Sequence, residues 1–439
     1  MSRSTVEQSS RSNTRHLTVP QGVALYVGAV LGTGLLVLPS LAAKAAGPAS
    51  LVAFLVLVLV SAPVAATFGA LAGRHPDAGG PATFALRAFG PKTSAVTGWW
   101  FYFGTLAGMP AASAFGATYV TELVGGGRTM TMALAAVLVL IAIGVNLFGV
   151  HLSGRVQLVL TGFLTVLLVG AVVLAAPKAD TANLQPFAPH GLAGITTAIS
   201  LLVWSFVGWE TVTHLAPDFR NPKKDMPLAT GISILIIGVL YLAVGGMTIL
   251  VLGPRAGETQ APLAAMLGEG LGTSVRVMAA VIAVVVTFGV LNVFVASMAK
   301  LGAALGRDGA LPQWLAKGSR AGDVPRRSLL VVTVGTAISF LVAILTGFEL
   351  EPALRAENAC LIAIYLVAMA AGVRLLPSGG KQRWFAVIAV VLVFGVLVLA
   401  GWYLLFAAAL ALGALVYLKF SKRAGVTKPR PSQTDARRS

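Results

Sequence analysis

The sequence has little charge and almost no cysteine. Only 11% of its 439 residues are charged, whereas 57% are hydrophobic, and the mean hydropathy is +0.86. This excludes an ordinary soluble domain, in which about 25% of residues are charged. The single cysteine, Cys360, excludes a disulfide within the chain, so the redox compartment stays open. The composition predicts an all-α protein that crosses a lipid bilayer many times.

Acidic residues are scarcer than basic ones, 15 against 32, which gives a net charge of +17. In a soluble protein this excess would suggest nucleic-acid binding. In a membrane protein the excess of basic residues indicates which loops are cytoplasmic, because short cytoplasmic loops are enriched in Lys and Arg. If both termini are cytoplasmic, the basic residues left outside are only Lys44, Arg128, Lys178, Arg255, Arg276 and Arg355. We therefore predict a multi-pass cell-membrane protein with both termini cytoplasmic and no nucleic-acid partner.

Runs without charge, each long enough for a span of about 20 residues, predict twelve transmembrane helices. The long apolar run near the C-terminus divides into two spans at Gly401-Trp402. The predicted organisation is a cytoplasmic tail at 1–16, spans 1–5 at 17–177, spans 6–10 at 178–376, spans 11 and 12 at 377–418, and a basic cytoplasmic tail at 419–439.

One acidic residue, Glu210, is predicted to lie inside a span. No Lys, Arg, Asp or Glu occurs between Thr181 and Trp209, so the carboxyl follows a long apolar run. Even lenient scales put an unpaired charge in the membrane at about 3 kcal/mol, and such residues are usually functional. Two interpretations stay open: Glu210 carries a coupling proton, or it stays protonated and hydrogen-bonds one helix to another.

Two predicted spans contain glycines that can interrupt a helix near its middle. The first has Gly28, Gly32 and Gly34, and the sixth has Gly208 shortly before Glu210. An interrupted helix leaves backbone N–H and C=O groups free to bind a polar ligand. The two spans run in opposite directions, which is typical of an inverted repeat around one central site. The spacing of Gly28 and Gly32 also fits close helix packing, so a purely structural role stays open.

Four motifs occur in order along the chain. They are Gly32-Thr33-Gly34, Pro76 with Ala78-Gly79-Gly80, Phe206-Val207-Gly208-Trp209-Glu210 with Asn221-Pro222 and Pro227, and Arg307-Asp308-Gly309-Ala310-Leu311-Pro312. Together they resemble the amino acid, polyamine and organocation transporter superfamily. Gly73-Arg74-His75, His214-Leu215-Ala216 and Ala400-Gly401-Trp402 look most like the bacterial L-methionine and branched-chain amino acid exporters.

The resemblance implies a LeuT-like core of two inverted five-helix repeats with discontinuous helices 1 and 6, and with helices 11 and 12 outside it. An amino acid substrate would lie between spans 1, 3, 6 and 8. Its carboxylate would meet the amides around Gly32, Thr33 and Gly34, and its ammonium the carbonyls near Trp204, Ser205 and Phe206. The full predicted set is Ala29, Gly32, Thr33, Gly34, Met109, Trp204, Ser205, Phe206, Val207 and Gly208 for substrate, with Glu210 for proton coupling. For Trp204, simple core packing stays open as an alternative.

The pocket candidates Ala29, Met109 and Val207 are small or apolar, and no buried acid besides Glu210 is expected to meet a cationic side chain. We therefore predict a secondary active transporter that works by alternating access. It would export neutral apolar amino acids, namely methionine, leucine, isoleucine and valine, with proton coupling or exchange. Some proton-coupled relatives have a lysine in span 5, where this chain has Leu164, so coupling by that lysine is not expected.

The main alternative is an amino acid importer coupled to protons or to sodium, in which Thr287 and Ser297 of span 8 could help to ligate the ion. A channel is a remote alternative, because the spans lack a continuous polar lining. The spans show neither a metal-ligand cluster nor a Ser/His/Asp spacing, so we expect no enzyme activity, no metal and no cofactor. Oligomer formation stays open.

Overall fold

A computed structural model describes residues 17–32, 34–77, 79–147, 154–259, 261–263, 265–266, 273–318, 324–347 and 350–423. Thr33 lies outside these residues, and for Trp204 and Phe206 the description is limited to the backbone. Within this part of the chain the structure is helical and has no strand, only an isolated bridge between Leu17 and Phe219.

The helices of the described residues are named here in chain order. They are α1 (Val19–Val30), α2 (Gly34–Ala46), α3 (Ser50–Arg74), α4 (Pro81–Phe89), α5 (Pro91–Val124), α6 (Arg128–Leu147), α7 (Gly154–Ala175), α8 (Gly191–Leu202), α9 (Pro222–Leu252), α10 (Thr273–Arg307), α11 (Arg326–Leu345), α12 (Leu350–Leu375), α13 (Lys381–Leu399) and α14 (Leu404–Arg423).

The helices are apolar enough to make the chain a multi-pass membrane protein. Nine segments of the described part are long and apolar enough to cross a bilayer, one of them the continuous stretch Gly34–Arg74 that contains α2 and α3. Two shorter apolar helices, α1 and α8, are each followed by an interruption. Many apolar side chains on α7, α11 and α13 are exposed, as expected of helices that face lipid.

Both interruptions predicted at the glycines are present. Helix α1 ends at Val30 and α2 begins at Gly34. Helix α8 ends at Leu202, passes into a short 3₁₀ turn (Val203–Phe206), and resumes only as a second 3₁₀ segment (Thr211–Asp218). Gly208, between the two 3₁₀ segments, has φ +123°, a conformation that residues with a side chain rarely adopt. The sequence therefore breaks the helix where the backbone needs a glycine.

Helix α5 is central to the bundle and packs against α10 and α12, while α3 packs against α9. Small residues permit these close contacts. A Cβ on Gly116 of α5 would overlap the Thr287 hydroxyl of α10, and a Cβ on Gly245 of α9 would lie 2.9 Å from the Phe54 ring of α3. This packing brings the middle of α5 against α10 and α12, close to both helix interruptions.

The expectation that Glu210 is the only acid inside a span is wrong. Glu357 is fully buried within α12. Because α12 begins at Leu350, Glu357 lies roughly 10 Å along the helix from its start. The charge-free run of this span begins only at Asn358, but the helix itself begins two turns earlier, at Leu350. A second carboxyl is therefore available in the core.

Candidate functional site

The two interrupted helices touch each other at their breaks. A Cβ on Gly34 would lie 3.0 Å from Ser205 Oγ and 3.1 Å from Ser205 Cα. A Cβ on Gly208 would lie 3.0 Å from the carbonyl carbon and oxygen of Ala29. Glycine at these positions lets one backbone approach the other without a side chain between them. The breaks thus form one shared site lined by backbone.

A tyrosine of α9 connects the two breaks by hydrogen bonds. The Tyr241 hydroxyl is 2.8 Å from the Val30 carbonyl oxygen at the end of α1 and 2.6 Å from the Ser205 carbonyl oxygen. The last carbonyls of a helix have no partner within it, so an outside donor stabilises them. The Ser205 hydroxyl, which lies beside Gly34, has no hydrogen-bond partner among the described residues.

Glu210 lies at the end of the second break and is fully buried. Its carboxylate accepts hydrogen bonds from the Gly208 N–H at 3.0 Å and from the Thr211 hydroxyl at 3.2 Å. The Tyr365 hydroxyl of α12 donates a third. Two donors belong to the broken segment, and the third belongs to α12, which is far away in sequence. The Glu210 carboxyl therefore joins the broken segment to α12 by hydrogen bonds.

The second buried acid, Glu357, lies against α5. A Cβ on Gly108 would overlap its carboxylate, so glycine at position 108 provides the room that the acid occupies. Thr105, Met109, Val290 and Phe294 surround the same place, and the space between these groups is too small for a water molecule. Neither carboxylate oxygen of Glu357 has a hydrogen-bond partner within the described residues. Glu357 therefore enters the site beside Met109, a predicted substrate contact.

The remaining predicted residues lie near the breaks, although Val207 lines a separate apolar cavity between α3, α12 and α13. Ala29, Met109, Ser205 and Val207 are all buried. A Cβ on Gly32 would lie 2.6 Å from Val290 of α10, which places the first break against that helix. The structure thus places the described members of the predicted set on α1, α2, α5 and the segment after α8, the elements named for spans 1, 3 and 6.

A large cavity, here named the vestibule, opens at one end of the bundle and has a volume of about 1350 Å³. Its walls come from α2, the C-terminal part of α5, the start of α6, the C-terminal half of α8 and the N-terminal part of α12. The charged residues that line it are Lys44, Glu122, Arg128, Glu351 and Arg355. Ala111 and Phe115 of α5 also line it, about one helical turn from Met109. The vestibule therefore approaches the breaks from one side.

The opposite end of the bundle is closed by three of the sequence motifs. Arg307 Nη2 lies 4.0 Å from Asp77 Oδ1, which joins the turn after α10 to the turn after α3. A Cβ on Gly80 would lie 2.6 Å from the His214 ring, and that ring also packs edge-on against Phe101. Between this end and the breaks, Trp209 is fully buried. The bundle is thus open to the vestibule at one end and closed at the other.

The two hydroxyls considered for a sodium ion are far apart. Thr287 and Ser297 lie on the continuous helix α10, about 15 Å apart along its axis. They cannot ligate the same ion. Within the described residues no group of three His, Cys, Asp or Glu side chains is arranged to hold a metal ion.

Two interrupted helices that meet in an apolar bundle are an arrangement found in secondary transporters. The amino acid permease family model matches residues 17–421. The chain belongs to that family, which confirms the predicted superfamily resemblance.

Several proteins of known name are similar over nearly the whole chain. The L-methionine/branched-chain amino acid exporter YjeH of Escherichia coli (strain K12) is 32% identical over 413 residues, which cover 92% of this chain and 96% of that protein. The uncharacterized amino acid permease YecA of Bacillus subtilis (strain 168) is 31% identical over 408 residues, with the same coverage. The branched-chain amino acid permease BcaP of B. subtilis is 29% identical over 243 residues, about half of each chain (51% and 52%).

Proposed function

We propose that the protein is a secondary active carrier of neutral apolar amino acids, namely methionine, leucine, isoleucine and valine. One observation carries the proposal: the two helix breaks contact each other, Gly34 against Ser205 and Gly208 against Ala29. Backbone N–H groups at the start of α2 suit a carboxylate, and carbonyls at the end of the α8 segment suit an ammonium. A free amino acid presents both groups on one carbon.

Apolar side chains near the helix breaks support a neutral apolar amino acid as the substrate. Ala29 and Met109 are buried near the breaks and offer an apolar surface to a side chain, whereas Val207 lines a separate apolar cavity. The lack of a second buried acid no longer supports a neutral substrate, because Glu357 is present. The support now comes from these apolar residues, together with the similarity to the methionine and branched-chain exporter and to the branched-chain permease.

The proposed architecture has twelve spans in the cell membrane, with both termini cytoplasmic. The nine apolar segments become twelve when Gly34–Arg74 is divided, so that α2 joins α1 in span 1 and α3 alone forms span 2, and when helix α5 and α8 with its continuation are added. In this arrangement the two repeats at 17–177 and 178–376 form a LeuT-like core, spans 11 and 12 (377–418) lie outside it, and the tails at 1–16 and 419–439 are cytoplasmic. The vestibule then faces outward.

The shape of the vestibule supports a carrier and not a channel. The cavity ends at the packed residues around Met109 and Glu357 and does not continue as a pore. Alternating access is reversible, so the same site serves export or import according to the gradients. We propose export with proton coupling or exchange, with Glu210 as a coupling group. Import coupled to protons or sodium is the alternative.

Counterflow in proteoliposomes tests the proposal. Vesicles loaded with unlabelled methionine should take up labelled methionine transiently above its equilibrium level, and uptake should saturate with concentration. A channel would give uptake that is neither saturable nor stimulated by internal methionine. Protein-free vesicles provide the baseline.

A further inference from the structure

The carboxyl group of Glu357 differs from that of Glu210 in its hydrogen-bond partners. Glu210 accepts three hydrogen bonds, whereas neither oxygen of Glu357 has a partner within the described residues, and no ion pair involves it there. A carboxylate in an apolar interior is stable only when a cation or a proton neutralises it, or when donors surround it. Within the described residues the Thr105 hydroxyl is the polar side chain beside Glu357, and one hydroxyl does not balance a buried carboxylate, so Glu357 needs a proton or a cation from outside the fold.

The vestibule comes close to Glu357 along α12. Glu351, Leu354 and Arg355 precede it on α12 and line the vestibule, and Glu357 lies about one turn beyond Leu354. The step from the cavity to the carboxyl is therefore short, while the opposite end of the bundle is closed.

The charged and titratable residues near Glu357 do not neutralise its carboxylate. A proton is therefore the simplest partner for it. Arg355 is paired with Glu351 at 2.7 Å, and its guanidinium lies over the Tyr403 ring at 5.9 Å. Glu210 is near enough to repel Glu357 when both are ionised, and the buried thiol of Cys360 also feels the Glu357 charge. Two like charges in an apolar region repel strongly, so Glu210 gives Glu357 no compensation.

The groups that face Glu357 from the other helices are not charged. On α5 they are Thr105, Gly108 and Met109, and on α10 they are Val290 and Phe294. A hydroxyl and apolar surface can surround a neutral acid but cannot balance a carboxylate.

We propose that Glu357 is a second proton-binding site, loaded from the vestibule, whose protonation is linked to the movement of substrate across the membrane. The inference rests on the proposed function. With the site open to the vestibule, one proton from water binds a carboxylate oxygen of Glu357 and leaves the neutral acid. When the site opens to the other face, that proton passes to water there and the carboxylate is restored. One proton crosses per cycle, in the direction opposite to an exported amino acid.

The test compares Glu357→Gln with Glu351→Gln, an acid-to-amide control on the same helix whose carboxyl is already exposed in the vestibule. Each variant is reconstituted and given labelled methionine, with the membrane potential clamped at zero. If one proton is coupled to each substrate, a gradient of one pH unit sustains up to about tenfold accumulation. Wild type and Glu351→Gln should accumulate methionine. Glu357→Gln should lose accumulation, and its remaining counterflow should no longer change with pH.

Gradient-driven accumulation in Glu357→Gln equal to wild type would overturn the proposal. So would a folded Glu357→Gln protein whose order of preference among amino acids changes while its proton response is kept, because Glu357 would then recognise substrate. Absence of methionine counterflow in wild type would instead refute the proposed function.

A second measurement covers the case in which Glu357→Gln does not fold. Infrared difference spectra of wild type between acidic and alkaline pH should contain a protonated-carboxyl C=O band, and Glu357→Asp should shift that band. A band unchanged in Glu357→Asp would contradict proton binding at this residue. This readout requires no transport, so it remains valid if methionine is not the substrate.

Discussion

The Tyr365 hydroxyl donates a hydrogen bond to the Glu210 carboxylate across 155 positions of sequence. The donor belongs to α12 and the acceptor to the segment after the second helix break. Glu210 also accepts from Gly208 within that break, so one carboxyl connects the backbone of the break to α12. A change in the charge of Glu210 would alter these hydrogen bonds at once.

We predict that Glu210→Gln separates exchange from coupling. Glutamine keeps the shape and can still accept from the Gly208 N–H, but it cannot titrate. The variant should exchange substrate for substrate and lose both the pH dependence of transport and accumulation driven by a proton gradient. Reconstituted transport at a series of pH values is the measurement. If pH dependence and accumulation stay as in wild type, Glu210 is not a coupling site and serves only to hold helices together.

A second prediction concerns the contact between the two breaks. Gly34→Leu should reduce methionine affinity by about tenfold or more, equivalent to about 1.4 kcal/mol, because its side chain would enter the space beside Ser205. Gly395→Leu on α13 is the matched control, since a Cβ there meets nothing within 4 Å. Binding and thermal unfolding are measured on the same detergent samples. A Gly34→Leu protein with lower stability but unchanged affinity would show that the glycine only packs helices.

A third prediction concerns orientation in the membrane. Cys360 is buried, so Cys360→Ala gives a background for single reporter cysteines. Thr197→Cys lies on the vestibule wall, and Ser378→Cys lies in the exposed turn between α12 and α13. A membrane-impermeant maleimide should label the first in intact cells and the second only after lysis. The reverse pattern would place the vestibule on the cytoplasmic side and the termini outside.

The sequence alone predicted the features that depend on local chemistry. Glycines at 32, 34 and 208 lower helix stability, and the motifs that contain them predicted the breaks; glycine alone does not, because Gly108 and Gly245 lie in continuous helices. The pairing of Tyr365 with Glu210 depends on how α12 is rotated against the broken segment, which the apolar pattern of a nearly all-hydrophobic helix does not specify.

Glu357 falls at the start of the tenth predicted span, near 353–373, but was not expected to be buried, because the charge-free run begins only at Asn358. A usable signal was present: a span of about 20 residues that ends near Arg374 must begin before Glu357. Its partner position, Gly108 on α5, could be found only from the packing of the two helices.

The two contacting helix breaks are proposed to bind the carboxylate and the ammonium of a free amino acid, and apolar side chains are proposed to select its side chain. Competition for labelled methionine in wild-type proteoliposomes tests this proposal most directly. We predict that unlabelled methionine, leucine, isoleucine and valine compete, and that arginine, glutamate and methionine methyl ester, which lacks the carboxylate, do not. Strong competition by arginine or glutamate, with none from the four apolar amino acids, would contradict the account.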